Sequence, residues 1–270
     1  MNQILDNIDI DIIDHKKKPN IFGVKFDSQP AAMRHLLVAK KIIDRQGHKI
    51  KPIGLDIGSK YGYLRKILSN FGIETKRLDV VDRNDNEGLI IGNGKSLPFK
   101  NNSLDFVVVS HVLAHVDKLT PFMLEINRTL KIGGDLIILQ NNRYGWWKYW
   151  GYYIRGNDRA YHYRTFSSWD IRELLRKNNM ELKEMKSPYY FYLHSKFSDF
   201  CFKFDRKFSH MIPNWLATQW LIVAVKSTKI SHPNTPIKIP LYIRILIEPI
   251  AFCHSLIMKK FELILRVFSK

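Results

Sequence analysis

Between residues 53 and 140 the chain alternates short apolar runs with amphipathic stretches, and this alternation restricts its fold more than any other feature. Ile53 to Ile57 reads as a buried strand, Gly62 to Phe71 as a helix with Gly72 as its stop, and Thr75 to Val80 as a second strand. Leu104 to Ser110 (LDFVVVS) has the continuous apolar character of a strand buried on both faces. Leu119 to Leu130 follows as a helix closed by Gly133-Gly134, and Asp135 to Gln140 as the next strand. Strands alternating with helices specify an α/β class, a doubly wound and mostly parallel sheet with helices on both faces. Its ligand belongs beyond the carboxyl ends of the strands.

The flanks extend this unit. A helix is expected from Ser28 as N-cap, with Pro30 in the first turn and Ala32, Leu36, Ala39, Ile42 and Ile43 along one side. Phe166 to Asn178 reads as a helix capped by Ser167 or Ser168, and Trp220 to Val225 as a closing strand. The expected organisation is a mobile arm over 1–20, one domain over 21–227, a proline-bearing linker over 228–240 and an amphipathic helical tail over 241–270. Within the domain, about 50–140 forms one half and about 141–227 the other. Two cysteines, Cys201 and Cys253, supply neither a disulfide framework nor a zinc ligand set, so no metal site is expected. They suit a reducing cytosol, and no apolar run reaches the roughly 18 residues of a spanning helix. Lysine and arginine outnumber aspartate and glutamate 43 to 25, giving a net charge of +18 that favours polyanions or an anionic membrane surface. A lysine-rich surface with no partner is the plainer reading of the same charge.

The run Leu55-Asp56-Ile57-Gly58-Ser59-Lys60-Tyr61-Gly62 ends a strand in Asp-x-Gly and turns through glycine into a helix. Glycine there allows close backbone approach to a ligand, and the first helical amides favour a carboxylate or phosphate. Gly58 and Gly62 are four apart, so the dinucleotide fingerprint G-x-G-x-x-G is missing and nicotinamide binding is disfavoured. Asp79 ends the second strand, where a carboxylate accepts both hydroxyls of a ribose, with Asp82 as a rival. Asn93, in Gly92-Asn93-Gly94-Lys95-Ser96-Leu97-Pro98-Phe99, is a candidate to read an adenine edge. Ser110, His111 and His115 follow the central strand.

In that order and spacing LDIGSKYG, the acidic end of strand two, GNGKSLPFKNNSLDFVVVSHVLAHV and EINRTLKIGGDLIIL resemble the motifs of the class I S-adenosylmethionine-dependent methyltransferases. The similarity is greatest to the type 11 group, with its D-A-x-x-L-P-F pattern. It covers about 53–140 strongly and continues weakly to about 226. The resemblance implies a Rossmann-like fold and S-adenosylmethionine as cofactor. It assigns Asp56, Gly58 and Gly62 to the methionine and ribose portions, Asp79 to the ribose hydroxyls, Asn93 to the adenine amino group, and Ser110 with His111 to the loop under the sulfonium. His115 matches the end of the family's V-L-E-H run, with Ala114 in place of glutamate. Lys60 replaces the middle glycine of G-x-G-x-G. It either pairs with the cofactor carboxylate or crowds the site, and the second case leaves room for a non-catalytic scaffold.

Methyl transfer is an in-line displacement that demands alignment, and an oxygen acceptor also needs a base. His111 and His162 are the catalytic candidates, whereas His115 is better read as a satisfied structural histidine. Trp146, Trp147, Tyr149, Trp150, Tyr152 and Tyr153 are consistent equally with a functional role, in an apolar or sugar-like acceptor pocket or at a membrane interface, and with core covering the sheet edge. In the tail, Arg244, Glu248, Ser255, Lys259, Glu262 and Arg266 form a narrow polar stripe on an otherwise apolar helix. Packing on the domain and lying in a bilayer interface are the two readings. The expected protein is cytoplasmic, with the inner face of the membrane as a candidate location, and takes a small-molecule or lipid- or glycan-linked acceptor. An RNA acceptor is the alternative, favoured by charge but by no RNA-binding module.

Overall fold

The computed structural model describes residues 20–27, 29–82, 88–142, 166–187 and 219–228. The described strands are β1 (Asn20–Ile21), β2 (Val24–Lys25), β3 (Ile53–Ile57), β4 (Glu74–Asp79), β5 (Leu89–Ile91), β6 (Leu104–Ser110), β7 (Leu130–Asn141), β8 (Met180–Lys186) and β9 (Gln219–Lys226). The helices are α1 (Gln29–Gln46), α2 (Tyr63–Ser69), α3 (Leu119–Thr129) and α4 (Ser168–Lys177). Strands β1 and β2 form a small antiparallel hairpin, and the other seven make one sheet in the order β5-β4-β3-β6-β7-β9-β8. Strands β3 to β7 pair in parallel, while β9 runs antiparallel to β7 and β8. The fold is the expected doubly wound, Rossmann-like sheet, with an antiparallel strand inserted near one edge.

Side-chain alternation along the strands sorts the core into two layers. Leu55, Ile57, Val107, Val109, Leu136 and Ile138 meet α3 and α4, while Phe106, Val108, Ile137 and Leu139 meet α1 and α2. Burying each such side chain contributes roughly 1.5–3 kcal/mol. Helix α1 buries Ala32, Leu36, Ala39, Ile42 and Ile43, the side its periodicity predicts, and has Pro30 near its start. Ser28 and the expected arm, linker, aromatic run and tail lie outside the described residues. Ser167 caps α4, its hydroxyl accepting the Asp170 amide while the Asp170 carboxylate accepts the Ser167 amide.

Gly133-Gly134 do not close a helix. Helix α3 ends at Thr129, Leu130 is already extended with ψ 137°, and both glycines lie within β7. Gly133 has φ +74°, and a Cβ on Gly134 would stand 2.8 Å from the Lys131 carbonyl. The register against β6 jumps from Leu104↔Leu130 to Phe106↔Asp135, so the pair forms a bulge that only glycine tolerates. Helix α2 is likewise shorter than expected, seven residues beginning after Gly62. Strands β5 and β8 and the β1–β2 hairpin have no counterpart in the sequence reading. Among the described residues no helix is long and apolar enough to cross a membrane.

Candidate cofactor site

Asp56, Gly58, Gly62, Asp79, Asn93, Ser110 and His111 lie at or just beyond the carboxyl ends of the adjacent strands β5, β4, β3 and β6. Strand β3 delivers Asp56 and runs into Gly58, whose amide donates to the Leu78 carbonyl at 2.7 Å. The loop then takes three left-handed residues, Gly58 at φ +76°, Lys60 at +46° and Gly62 at +66°. The chain's own packing requires the two glycines. A Cβ on Gly58 would lie 2.3 Å from Val112 Cγ2, and one on Gly62 2.6 Å from Arg77 Nε. Lys60, the departure from glycine, has an exposed side chain but a backbone conformation that disfavours lysine. With only seven residues, α2 adds little dipole, and the amides of Gly58, Ser59, Lys60 and Gly62 are already donated to Leu78, Asp79 and Ser59, so the loop's shape is fixed by its own hydrogen bonds.

Asp79, the last residue of β4, is 7% exposed. Its Oδ2 accepts the Lys60 amide at 2.9 Å and its Oδ1 the Val81 amide at 3.1 Å. Each oxygen retains a second lone pair, so two hydroxyl donors still fit. Asp82 is exposed and lies beyond the strand end. Asp56 is fully enclosed, and burial pushes its carboxyl up to about 7, the Arg77 guanidinium opposing the rise and the Asp79 carboxylate adding to it. Arg77, which the sequence reading overlooked, is the register partner of Asp56 on β4 and is 1% exposed. Its Nη2 donates to the Lys60 carbonyl at 2.8 Å. Period two along β4 puts Thr75, Arg77 and Asp79 on one face, and that spacing was the available signal.

Beyond β5, Asn93 is exposed and its Oδ1 accepts the Lys95 amide at 3.0 Å, a local turn of the Asx kind. The Asn93 amide oxygen is therefore already partly engaged. Val80 and Ile91, 65% and 64% exposed, offer apolar surface on either side of Asp79, which pairs in register with Ile91. Gly94 is held against Phe122, and the Leu97–Phe99 run behind it is clamped by α3. Glu125 accepts the Leu97 amide at 2.7 Å, and Arg128 donates to the Leu97 and Phe99 carbonyls at 2.9 and 2.8 Å.

Ser110 ends β6 half-buried, and His111 follows at φ +58° with its amide on the Leu139 carbonyl at 2.8 Å. Its Nε2 is shielded from solvent and has no hydrogen-bond partner. Burial pushes the imidazole down to about 3, with Arg34, Lys60, His35 and His115 adding positive charge around it. His111 therefore stays neutral, suited to exchanging a hydrogen bond more than to retaining a proton. Two of those neighbours, Arg34 and His35, come from α1 and were not foreseen. His35 Nδ1 donates to the Ala31 carbonyl at 2.7 Å, its ring stands edge-on against Tyr63, and burial pushes it down to about 4. His115 is exposed in a 3-10 turn (Leu113–His115). His162 lies outside the described residues.

S-adenosylmethionine presents ribose hydroxyls, an apolar ring and an amino-acid end. The carboxylate of Asp79, the exposed Val80 and Ile91, and the positive surroundings of Lys60 and Arg34 match these groups in turn. Two buried polar atoms left without partners, Ser59 Oγ and His111 Nε2, fit a polar ligand in the same neighbourhood. Among the described residues no group of three or more His, Cys, Asp or Glu is placed to hold a metal ion.

Residues 55–138 match the type 11 family model, described as a methyltransferase domain. No curated protein matches the chain. Among solved structures, a methyltransferase of Haloferax volcanii in complex with the Trm112 methyltransferase activator is 18% identical with a TM-score of 0.57. That match covers 76% of this chain and 94% of the other. A SAM-dependent methyltransferase from Methanosarcina mazei is 16% identical at TM-score 0.53, covering 69% and 98%. The [4+2]-cyclase SpnF is 17% identical at TM-score 0.53, covering 84% and 93%. At such identities the structures speak for the fold, and the family model speaks for the segment that builds the loop, Asp79 and His111. Residues 55–138 thus match the methyltransferase domain of the type 11 group, within a fold shared with S-adenosylmethionine-dependent methyltransferases.

Proposed function

We propose that this chain transfers a methyl group from S-adenosylmethionine to a small or lipid- or glycan-linked acceptor. The carboxylate of Asp79 carries the cofactor half of the reading: it is buried at a strand end, fixes the loop after β3 and keeps a lone pair on each oxygen. When bound, the cofactor supplies an electrophilic methyl on a sulfonium. The chain's task is alignment, with Asp79 on the ribose, the glycine loop and the Lys60 side chain at the amino-acid end, and Asn93 with Val80 beside the adenine. Asp56 and Ser110 support the loop and the strand end next to them. His111, neutral and half-buried, orients the acceptor by a hydrogen bond, and His162 is the remaining candidate base for an oxygen acceptor. The aromatic run at 144–153 and the apolar tail at 241–270 support an apolar or membrane-borne acceptor.

Calorimetric titration of the full chain with S-adenosylmethionine tests the cofactor. No heat of binding at millimolar concentration would overturn the enzyme and leave a scaffold. Co-sedimentation with anionic liposomes, compared with a chain truncated after Thr228, tests the membrane part, which fails if the full chain stays in solution. A second reading, an RNA or protein acceptor, is favoured by the net charge of +18 and by the Trm112 complex of the Haloferax neighbour. Binding of RNA with a steep loss of affinity in salt would favour it.

A further inference from the structure

Among the fully buried side chains of the described residues only Trp220 is larger than Arg77, and no step of the proposed transfer uses it. An enclosed guanidinium is costly unless carboxylates and acceptors surround it. Here Asp56 stands beside it in register, and Asp79 follows two residues along the same strand face. Its Nη2 donates to the carbonyl of Lys60 at 2.8 Å, while the Lys60 amide donates to Asp79 at 2.9 Å. Residue 60 is therefore gripped at both its backbone groups by side chains from β4. It is also the residue at φ +46°, a conformation that a lysine rarely adopts. Gly62 gives the guanidinium its space beneath the loop, since a Cβ there would lie 2.6 Å from Nε.

We propose that Arg77 is a positioning residue for the cofactor loop, holding the Lys60 carbonyl so that a lysine can stand in a turn that otherwise calls for glycine. The loop's conformation is then preset for ligand without a glycine at position 60. The cofactor part of this statement rests on the methyltransferase reading, whereas the backbone lock does not.

A double-mutant cycle of Arg77→Lys and Lys60→Gly separates the two. Lysine at 77 keeps the positive charge beside Asp56 and Asp79 but loses the planar fork that reaches the carbonyl. The probe is S-adenosylhomocysteine, by calorimetry, together with the thermal midpoint of the ligand-free chain. Arg77→Lys should weaken binding on the order of tenfold when Lys60 is present, and less than about threefold in the Lys60→Gly background. The ligand-free midpoint should drop less in that background as well. Equal losses in both backgrounds would show that Arg77 serves the core alone and overturn the proposal. If Arg77→Lys does not fold, Lys60→Gly must restore folding, and failure to do so overturns it equally. A native chain that does not bind S-adenosylhomocysteine sinks the methyltransferase reading, and the midpoint cycle alone then decides whether the lock exists.

Discussion

Asp79 Oδ2 accepts the backbone amide of Lys60 at 2.9 Å, so the carboxylate proposed for the ribose also pins the loop that would hold the amino-acid end. Two parts of one ligand then depend on one side chain. Asp79→Ala removes the anchor and two charge-assisted bonds to the ribose together. Affinity for S-adenosylhomocysteine is expected to fall on the order of 100-fold, measured by calorimetry. A value within about threefold of the native chain would remove Asp79 from the ribose.

Lys60 carries backbone strain while its side chain is exposed. A residue with a Cβ in the left-handed region costs about 1–2 kcal/mol, and glycine avoids that cost. Lys60→Gly should therefore raise the thermal midpoint by roughly 2–4 °C, and Lys60→Ala should not. If the side chain pairs with the cofactor carboxylate, both variants lose affinity severalfold. A gain in affinity in both would mean that the lysine crowds the site.

Strands β3 and β6 have the bounds that their sequences predict, because a strand buried on both faces is a mostly apolar run, here interrupted only by the buried Asp56 and Asp105. The same logic hid β8: MELKEMK alternates charge with half-buried positions at a sheet edge and reads as surface. Gly133-Gly134 misled because a glycine after a helix usually ends it, whereas here Leu130 had already become extended and the glycines serve a bulge. Within the site, residues on the strand-end motifs were legible, since each sits at a fixed offset from its own strand. Arg77 was not, because an arginine in a strand suggests solvent until its carboxylate partners are known. Arg34 and His35 were not either, because α1 reaches His111 only through the fold.

Arg128 is the clearest case of a surface-looking residue with an internal task. It donates to the Leu97 and Phe99 carbonyls and to Asn101, and it pairs with Glu125, which holds the Leu97 amide. Each bond contributes roughly 0.5–1 kcal/mol at a partly exposed site, so Arg128→Ala should cost about 2 kcal/mol in urea denaturation. Arg128→Lys should recover less than half, because a single ammonium does not span both carbonyls. A loss below about 0.5 kcal/mol would show that α3 does not hold the 97–99 run through this residue.

Three buried groups contribute to the pH dependence of stability with opposing signs. His35 and His111 titrate in the folded chain at about 4 and about 3, below their ordinary 6.5. As pH falls from 6.5 the unfolded chain takes up both protons and the folded chain refuses them, so stability is lost. Asp56 titrates at about 7 when folded against 3.8 ordinarily. Between those values the folded chain holds a proton that the unfolded chain lacks, so acidification adds stability through this group. Near pH 5 the unfolded state binds two protons more at the histidines and one fewer at Asp56. Of these three groups the net is one proton, or about 1.4 kcal/mol of stability gained per pH unit towards neutrality. Asp56→Asn removes the opposing term and should roughly double that slope between pH 4.5 and 6 in denaturant titrations. His35→Gln should flatten it towards zero. An unchanged slope in Asp56→Asn would mean that its carboxyl is already ionised in the folded chain at pH 5, with Arg77 outweighing burial.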